Sequence, residues 1–239
     1  MKINIISLGR LGLTLYKEFE KLGHNVNGSF CNSSKGVQGE VKYNFQRDAL
    51  PKVFISGDLL IFNLTPSAIS SIDLLKDFIS KINYKKIVFI SSTSVYGKQG
   101  KVDEDTIPIP ETTSGEFLVK CEEVVSKHDN CTIIRPGGII YTDSHPVRVL
   151  LRKKTIINPV ESINLVAIND LVDSILKLIK YNHKVINVVN SFHPKKREYY
   201  NEYCRKNELN LLEFLEVPSI KDKIITSKYS VLKILSKLP

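Results

Sequence analysis

The chain has 239 residues, of which 42% are hydrophobic and 25% charged, so its composition excludes a disordered or fibrous protein. Its net charge of +9 comes mostly from lysines scattered among acidic residues, which indicates a solvated surface. The two small basic clusters, at residues 148–154 and 195–197, argue against a nucleic-acid partner and are better explained by a small anionic substrate. The four cysteines form no CxxC pair and no apolar run reaches the length of a membrane span, which predicts a cytoplasmic protein without bound metal or membrane contact.

Strands and helices alternate along the chain. Short apolar runs indicate buried strands, and apolar residues at helical spacing, such as Leu11, Leu15, Phe19 and Leu22, indicate the helices between them. Strands are predicted over residues 2–7, 24–30, 58–64, 85–91, 131–135 and 184–189. Helices are predicted after the first strand and over residues 66–82, 112–126, 169–181, 194–206 and 226–238.

This alternation predicts an α/β fold of the Rossmann type with a doubly wound parallel sheet. Residues 1–160 are predicted to form the dinucleotide-binding domain. Residues 161–239 are predicted to form a small C-terminal lobe that completes the sheet and the substrate cleft.

A degenerate GxGxxG motif follows the first predicted strand. It reads Ser7-Leu8-Gly9-Arg10-Leu11-Gly12, so a serine replaces the first glycine. The middle glycine of such a motif lets the backbone approach a pyrophosphate, the last lets helix and strand pack closely, and the helix N-terminus attracts phosphate. A tight turn without a ligand is the alternative. The motif predicts a nicotinamide dinucleotide held by Ser7, Gly9, Arg10, Leu11 and Gly12.

The stretch after the second predicted strand bears on the choice between NAD and NADP. Sites that prefer NAD usually place a carboxylate here, on the ribose hydroxyls. This stretch reads Ser29-Phe30-Cys31-Asn32-Ser33-Ser34-Lys35 and contains no carboxylate. Asn32, Ser33 and Lys35 are therefore predicted to line the ribose, with NADP favoured over NAD, while an ordinary solvated lysine remains the alternative for Lys35.

Three later segments carry a family resemblance. They read Ile90-Ser91-Ser92-Thr93-Ser94-Val95-Tyr96-Gly97, Val102-Asp103-Glu104-Asp105-Thr106 and Ile134-Arg135-Pro136-Gly137-Gly138-Ile139. With the glycine turn, they resemble the NAD-dependent epimerase/dehydratase group of the extended short-chain dehydrogenase/reductase superfamily, in particular its short atypical branch. The resemblance spans nearly the whole chain.

The resemblance implies roles for individual residues. In relatives, the serine that matches Ser92 hydrogen-bonds the reacting oxygen of the substrate. The segment that matches residues 64–66 passes beside the adenosine, and the segment that matches residues 136–138 lies near the nicotinamide. Beyond the glycine turn and the ribose stretch, cofactor contacts are accordingly expected at Leu64, Thr65, Pro66, Ser91, Pro136 and Gly137.

The catalytic Tyr-x-x-x-Lys pair of active relatives is missing. Its tyrosine position holds Ser114 and its lysine position holds Leu118, and neither side chain can take over the proton transfer. Tyr96 is the candidate substitute, acting with Ser92 as the catalytic residues. The alternative for Tyr96 is a packing tyrosine whose hydroxyl is satisfied locally.

Two further positions have a functional and an ordinary interpretation. Glu122 matches a family carboxylate on the predicted helix 112–126, but a solvated helix surface would also explain it. A literal Tyr-x-x-x-Lys match runs from Tyr229 to Lys233 in the predicted last helix, and its distance from the cofactor segments assigns it to chance.

Three functions remain open from the sequence. The first is an NAD(P)-dependent oxidoreductase or epimerase that acts on a carbohydrate or nucleotide-linked substrate. The second is a non-catalytic dinucleotide-binding regulator or partner protein, which the missing tyrosine and lysine favour. The third is a scaffold that no longer binds a cofactor. The oligomeric state is open as well, with a homodimer as one option.

Overall fold

A computed structural model describes residues 1–141, 143–152, 158–215, 222–229, 234–236 and 238. The strands are β1 (Lys2–Ile6), β2 (Asn25–Phe30), β3 (Glu40–Lys42), β4 (Ser56–Phe62), β5 (Asn83–Ile90), β6 (Lys101–Val102), β7 (Cys131–Pro136), β8 (Gly138–Ile140), β9 (Leu165–Ala167), β10 (Val185–Val188) and β11 (Ile224–Ile225). The α-helices are α1 (Arg10–Lys21), α2 (Pro66–Ile69), α3 (Ile72–Lys81), α4 (Thr113–Val125), α5 (Pro146–Arg152), α6 (Ile168–Leu178) and α7 (Lys196–Lys206).

Seven strands form the central sheet in the order β10-β7-β5-β4-β1-β2-β3. The pairings from β7 across to β3 are all parallel, and Ile5 at the sheet centre lies opposite Ile61 on β4 and Gly28 on β2. Strands are added outward from β1 in one direction and from β4 in the other. The topological switch point, where ligands of such folds bind, therefore lies between β1 and β4. The predicted doubly wound parallel sheet is confirmed.

The first helix shows how the apolar pattern produces the core. Leu11, Leu15 and Phe19 on α1 are buried, as their helical spacing predicts. Leu22 was expected on the same face but is 60% exposed. The reason is that α1 ends before Leu22, and Gly23, with a φ of 77°, turns the chain away from the helix axis.

The predicted helix over residues 66–82 is two helices, so that prediction is corrected. Ser70 has a left-handed φ of 58°, which ends α2 after one turn. Ser71 then caps α3, because its hydroxyl accepts hydrogen bonds from the amides of Asp73 and Leu74. Serine competes with helical hydrogen bonding through such local contacts, and two consecutive serines therefore interrupt the apolar periodicity.

The predicted helix over residues 226–238 is wrong for the part of it that the structure describes. The chain before it pairs instead as β11 with β6, and the amide of Thr226 continues this pairing by donating to the carbonyl of Val102 at 2.9 Å. Ile234 forms a parallel bridge with Asn190. Residues 230–233, which include the lysine of the literal Tyr-x-x-x-Lys match, lie outside the described residues.

The chain packs as two compact units that interleave along the sequence. Unit 1 consists of Met1–Ser92, Thr112–Arg135 and Ile175–Ile186, and it contains β1 to β5, α1 to α4 and most of β7. Unit 2 consists of Thr93–Glu111, Pro136–Ser174 and Asn187–Pro239. It contains the small sheets β11-β6 and β8-β9 and the helices α5 and α7. The functional division at residue 160 stays a prediction.

Candidate functional site

The glycine turn of unit 1 keeps its shape although serine replaces the first glycine. Ser7 has a φ of 80°, a conformation that costs most side chains about 1 kcal/mol or more and that glycine adopts freely. Two hydrogen bonds from β2 hold it there: the Ser7 amide donates to Ser29 Oγ at 2.8 Å, and the Leu8 amide donates to the Ser29 carbonyl at 2.7 Å. The serine therefore reproduces the backbone path that the motif requires.

Gly12 is required by the packing of the protein itself. A Cβ atom at this position would lie 2.1 Å from the carbonyl oxygen of Ser7 and 3.3 Å from Nδ2 of Asn63. The first contact is with backbone, which cannot move aside. Gly12 thus lets α1 pack against the end of β1, as the sequence motif predicts.

Gly9 differs from Gly12 in that the described part of the chain gives no steric reason for a glycine there. Its φ is −68°, which any residue adopts, and the nearest atom to an added Cβ beyond its chain neighbours is Ser7 Oγ at 3.8 Å. An approaching ligand does give such a reason, because a side chain would occupy the space that a pyrophosphate needs. The residues present therefore fit a dinucleotide.

The start of α1 adds the electrostatic part of this fit. Arg10 is the first helical residue, and no side chain in the described part of the chain caps the helix. The first amides of a helix have no intrahelical partners and carry the positive end of the helix dipole, so they favour a phosphate group. Leu11 is buried beneath them and Arg10 is exposed.

The segment after β4 lies beside this turn in unit 1. The amide of Asn63 donates to the carbonyl of Ile6 at 3.1 Å, and its side chain donates to the carbonyl of Ser7 at 3.4 Å. Leu64 follows at half-burial, Thr65 is exposed at the N-terminal end of α2, and Pro66 begins that helix. The structure thus brings residues 64–66 to the switch point between β1 and β4. Their contact with an adenosine stays a prediction.

The loop after β2 holds a residue that the sequence analysis missed. Asn32, Ser33 and Lys35 are exposed in this loop. Glu40, on the unpredicted strand β3, turns its carboxylate towards the loop and accepts hydrogen bonds from the Ser34 hydroxyl and, at 2.7 Å, from the Lys35 amide. A carboxylate is therefore present where the sequence seemed to lack one, and it argues against the predicted preference for NADP.

A buried ion pair lies at the carboxyl ends of β5 and β7. Arg135 donates through Nε and Nη2 to the two oxygens of Glu122 at 3.0 and 2.5 Å, and the Ser91 hydroxyl donates to Oε1 of Glu122 at 2.5 Å. The solvated interpretation of Glu122 is wrong, because its side chain is only 7% exposed. Ser91 is itself buried, and its hydroxyl is committed to this carboxylate. The cluster joins α4 to the sheet.

Helix α4 carries the positions of the missing catalytic pair. It begins where predicted, because the Thr112 hydroxyl accepts a hydrogen bond from the Gly115 amide at 3.1 Å. Ser114 is exposed on it, and Leu118 is buried in the core. Neither side chain carries a group that can lower the pKa of a proton donor, so α4 supports the sheet without acid–base chemistry at these positions.

Ser92 and Tyr96, the predicted catalytic residues, belong to different units. Ser92 is half-buried directly after Ser91 in unit 1. Tyr96, in unit 2, is 1% exposed, and its hydroxyl donates to the carbonyl of Asp103 at 2.8 Å and lies 3.2 Å from Oδ1 of Asn187. These bonds favour the packing interpretation of Tyr96. Its catalytic role stays a prediction.

The predicted nicotinamide segment has a structural explanation within unit 2 for its first glycine. Pro136 and Gly137 are buried, and the Gly137 amide donates to the carbonyl of Val188 at 3.0 Å. A Cβ at Gly137 would lie 2.6 Å from the carbonyl oxygen of Asn164. Close packing therefore accounts for this glycine, and contact with a nicotinamide stays a prediction.

Unit 2 contains an aromatic cavity of about 580 Å³, a size typical of small-molecule sites. The side chains that line it come from one face of α7 and from the chain on either side: Phe192, Pro194, Tyr199, Glu202, Tyr203, Lys206, Asn207, Leu235 and Leu238. Lys206 and Glu202 form an ion pair there.

His145 supports the wall of this cavity from inside unit 2. Its ring stacks on Tyr203 with centroids 3.7 Å apart. The Val147 amide donates to Nδ1 at 3.2 Å, so the hydrogen on Nε2 points at the Tyr199 hydroxyl 2.8 Å away. Burial, and to a lesser extent the charge of Arg148, lowers the pKa of His145 to about 4. The imidazole is therefore neutral at pH 7 and acts as a packing partner.

Within the residues that the structure describes, no group of three or more His, Cys, Asp and Glu side chains is arranged to hold a metal ion. Across the same part of the chain, no helix is both long and apolar enough to cross a membrane.

Comparisons with known proteins agree with this architecture. No protein-family model matches the chain. Protein YeeZ of Escherichia coli K12 is 26% identical over 258 residues, which cover 97% of this chain and 90% of YeeZ. MoeE5 in complex with UDP-glucose and NAD has a TM-score of 0.81 at 14% identity and covers 100% of this chain and 94% of its own. UDP-glucuronic acid 4-epimerase from Bacillus cereus in complex with NAD has a TM-score of 0.78 at 17% identity, covering 97% and 91%.

These similarities establish the fold. The structural neighbours include a UDP-glucuronic acid 4-epimerase in complex with NAD. It belongs to the epimerase/dehydratase group that the segment after β5 resembles. The chain spans nine-tenths of YeeZ, so the two proteins have comparable extents.

Proposed function

We propose that this chain binds a nicotinamide dinucleotide on the turn from Ser7 to Gly12 and is an oxidoreductase or epimerase of a carbohydrate or nucleotide-linked substrate. The observation that carries the proposal is the contrast between its two glycines. An added Cβ at Gly12 would lie 2.1 Å from the Ser7 carbonyl oxygen, whereas at Gly9 the nearest atom beyond its chain neighbours is Ser7 Oγ at 3.8 Å. A dinucleotide that approaches the backbone of Gly9 would account for a glycine there. The two neighbours of this fold, which bind NAD with UDP-glucose or act on UDP-glucuronic acid, support the substrate class.

The chain's own residues have defined roles under this proposal. The first amides of α1 hold the diphosphate, and the Ser29 bonds to Ser7 and Leu8 fix the turn before the ligand arrives. A bound nicotinamide supplies or accepts a hydride. The Ser92 hydroxyl orients the reacting oxygen of the substrate by hydrogen bonding. Without the tyrosine and lysine pair, proton transfer loses about 10²–10⁴-fold in rate, so slow turnover is expected.

A non-catalytic dinucleotide-binding regulator is the second candidate. Two observations favour this candidate. Leu118, at the position of the missing lysine, is buried in the core, and the Tyr96 hydroxyl already donates a hydrogen bond to the carbonyl of Asp103. This candidate shares the cofactor site with the first. The two differ only in whether a substrate turns over.

One experiment separates these candidates. The purified chain is titrated with NADH and NADPH by calorimetry. It is then screened with nucleotide sugars in two ways: by nicotinamide absorbance, which detects net oxidation or reduction, and by chromatography of the sugar products, which detects an epimerase that returns its hydride and leaves the absorbance unchanged. The first candidate predicts micromolar binding and slow turnover that Ser92→Ala abolishes. Ser80→Ala, an exposed serine on α3, is the matched control and should change neither.

The outcomes discriminate as follows. Tight binding with no turnover on any sugar nucleotide supports the regulator. If folded protein gives no heat with either coenzyme at millimolar concentration, both candidates fail.

A further inference from the structure

The loop after β2 is folded around a carboxylate of the chain itself. The Ser34 hydroxyl donates to Oε1 of Glu40, and the Lys35 amide donates to Oε2 at 2.7 Å. The Gly36 amide in turn donates to Ser34 Oγ at 3.2 Å. Hydrogen bonds from the hydroxyl of Ser34 and from the amides of Lys35, Val37 and Gly36 lower the pKa of Glu40, so the carboxylate is charged at neutral pH.

The loop bends at Gly36, whose φ of 67° is left-handed. Beside this bend, the Ser34 hydroxyl and the Lys35 amide both donate to the Glu40 carboxylate. We call residues 34–36 with Glu40 the nest, because turns of this kind present donors to phosphates and carboxylates in many proteins. Two donors that the sequence offered to an external anion therefore already have an internal one.

The nest follows the strand whose carboxyl end faces the adenosine ribose in dinucleotide folds. β2 and β3 pair in parallel, with Gly28 opposite Glu40 and Phe30 opposite Lys42. The loop leaves the carboxyl end of β2, and in doubly wound folds this end of the second strand selects between a ribose 2′-hydroxyl and a 2′-phosphate. A 2′-phosphate bound there would meet a charged carboxylate and donors that are already engaged.

We infer that Glu40 makes the chain select NAD over NADP by occupying this nest. The inference rests on the proposed function, since it concerns the cofactor bound at the turn. It also reverses the preference that the stretch from Ser29 to Lys35 predicts when it is considered alone. Of the residues predicted to line the ribose, Lys35 uses its backbone amide to bind Glu40, and the hydroxyl of the neighbouring Ser34 does the same.

The removal of Glu40 should then admit the phosphate. The variants are Glu40→Gln, which removes the charge, and Glu40→Ala, which also frees the donors. Both leave the exposed Lys35 of the same loop in place. The affinity for NADPH is expected to rise roughly tenfold in Glu40→Gln and further in Glu40→Ala, because a like charge near the phosphate is lost. The affinity for NADH should stay within about twofold, since a ribose hydroxyl is uncharged.

The experiment measures dissociation constants of NADH and NADPH for the wild-type chain, both Glu40 variants and the control Glu123→Gln, which removes an exposed carboxylate from α4. Competition by 5′-AMP and by adenosine 2′,5′-bisphosphate repeats the test without the nicotinamide half. Circular dichroism and thermal unfolding verify that each variant is folded.

Each outcome has a distinct meaning. Tighter binding of NADH by the wild type, together with a NADPH gain in the Glu40 variants but not in Glu123→Gln, supports the inference. A wild type that prefers NADPH, or a ratio that does not change in folded Glu40 variants, overturns the inference and leaves the proposed function intact. If neither coenzyme binds to the wild type, the proposed function fails and the inference fails with it.

Discussion

Two regions of unit 1, the turn at the start of α1 and helix α4, differ in how much of the pattern predicted from the family resemblance they contain. The turn at the start of α1 keeps the geometry that a dinucleotide needs, even with a serine at the first glycine position. Helix α4 begins at its predicted cap, but it has Ser114 and the buried Leu118 at the positions where the resemblance implies a catalytic tyrosine and lysine. Binding depends on backbone and catalysis on side chains, so the first can persist when the second is lost.

The largest expected effect concerns the buried ion pair between Glu122 on α4 and Arg135 on β7. Replacing Arg135 by Met leaves the carboxylate of Glu122 buried without its cation, and the free energy of unfolding should fall by about 3–5 kcal/mol. Urea unfolding measures this change. The double variant with Glu122→Met should lose less, and Arg47→Met, on an exposed arginine of unit 1, should lose about 0.5 kcal/mol or less. Equal losses for Arg135→Met and Arg47→Met would contradict a structural role for α4.

The next effect tests the turn as a packing element. Gly12→Ala places a methyl group 2.1 Å from the Ser7 carbonyl. Because α1 or β1 must shift to relieve this contact, a loss of about 2–3 kcal/mol in the free energy of unfolding is expected. Thermal unfolding with far-UV circular dichroism measures it. A melting temperature equal to that of the wild type would show that helix and strand pack less closely than described.

Gly9→Ala tests the same turn as a binding element and serves as the partner of the previous variant. The added methyl has open space in the protein, so the free energy of unfolding should fall only by the roughly 0.5–1 kcal/mol by which alanine is a poorer helix N-cap than glycine. The affinity for the dinucleotide should nevertheless fall about tenfold or more, which is about 1.4 kcal/mol. Calorimetric titration with NADH gives the affinity. Unchanged binding would mean that the phosphates do not approach Gly9.

The smallest effect is expected for Tyr96→Phe, which tests whether Tyr96 carries out the proton transfer that the missing tyrosine and lysine of α4 would perform. Tyr96→Phe removes hydrogen bonds to Asp103 and Asn187, and about 1 kcal/mol of stability should be lost. The affinity for coenzyme, and any turnover found in the substrate screen, should be unchanged. A selective loss of turnover in a stable Tyr96→Phe protein would restore Tyr96 to the catalytic role predicted from the sequence.

Local patterns predicted the fold well because each strand and helix of the sheet has its own apolar periodicity. The errors occur where local chemistry or distant pairing overrides that periodicity. The hydroxyls of Ser70 and Ser71 interrupt a helix that apolar spacing alone would continue. The segment after residue 224 pairs with strand partners more than a hundred residues away, which no short window reveals.

The candidate site divides in the same way. The turn could be predicted because its motif is contiguous: Gly9 and Gly12 both lie within the six residues from Ser7 to Gly12. The role of Glu40 could not be predicted, because Glu40 comes close to the loop after β2 only through the pairing of β2 with the short polar strand β3. Gly36 was the available signal, because a glycine amid small polar residues often marks a left-handed turn. The ion pair of Glu122 with Arg135 likewise depends on strand order.

The uncapped start of α1 has a consequence for how this lineage can change. The donors at this helix start are backbone amides, which every residue except proline supplies, whereas a reactive side chain is lost in a single substitution. Most substitutions at such a helix start therefore leave its amide donors in place. Under the proposed function, new catalytic side chains could be selected around a coenzyme site that is already formed.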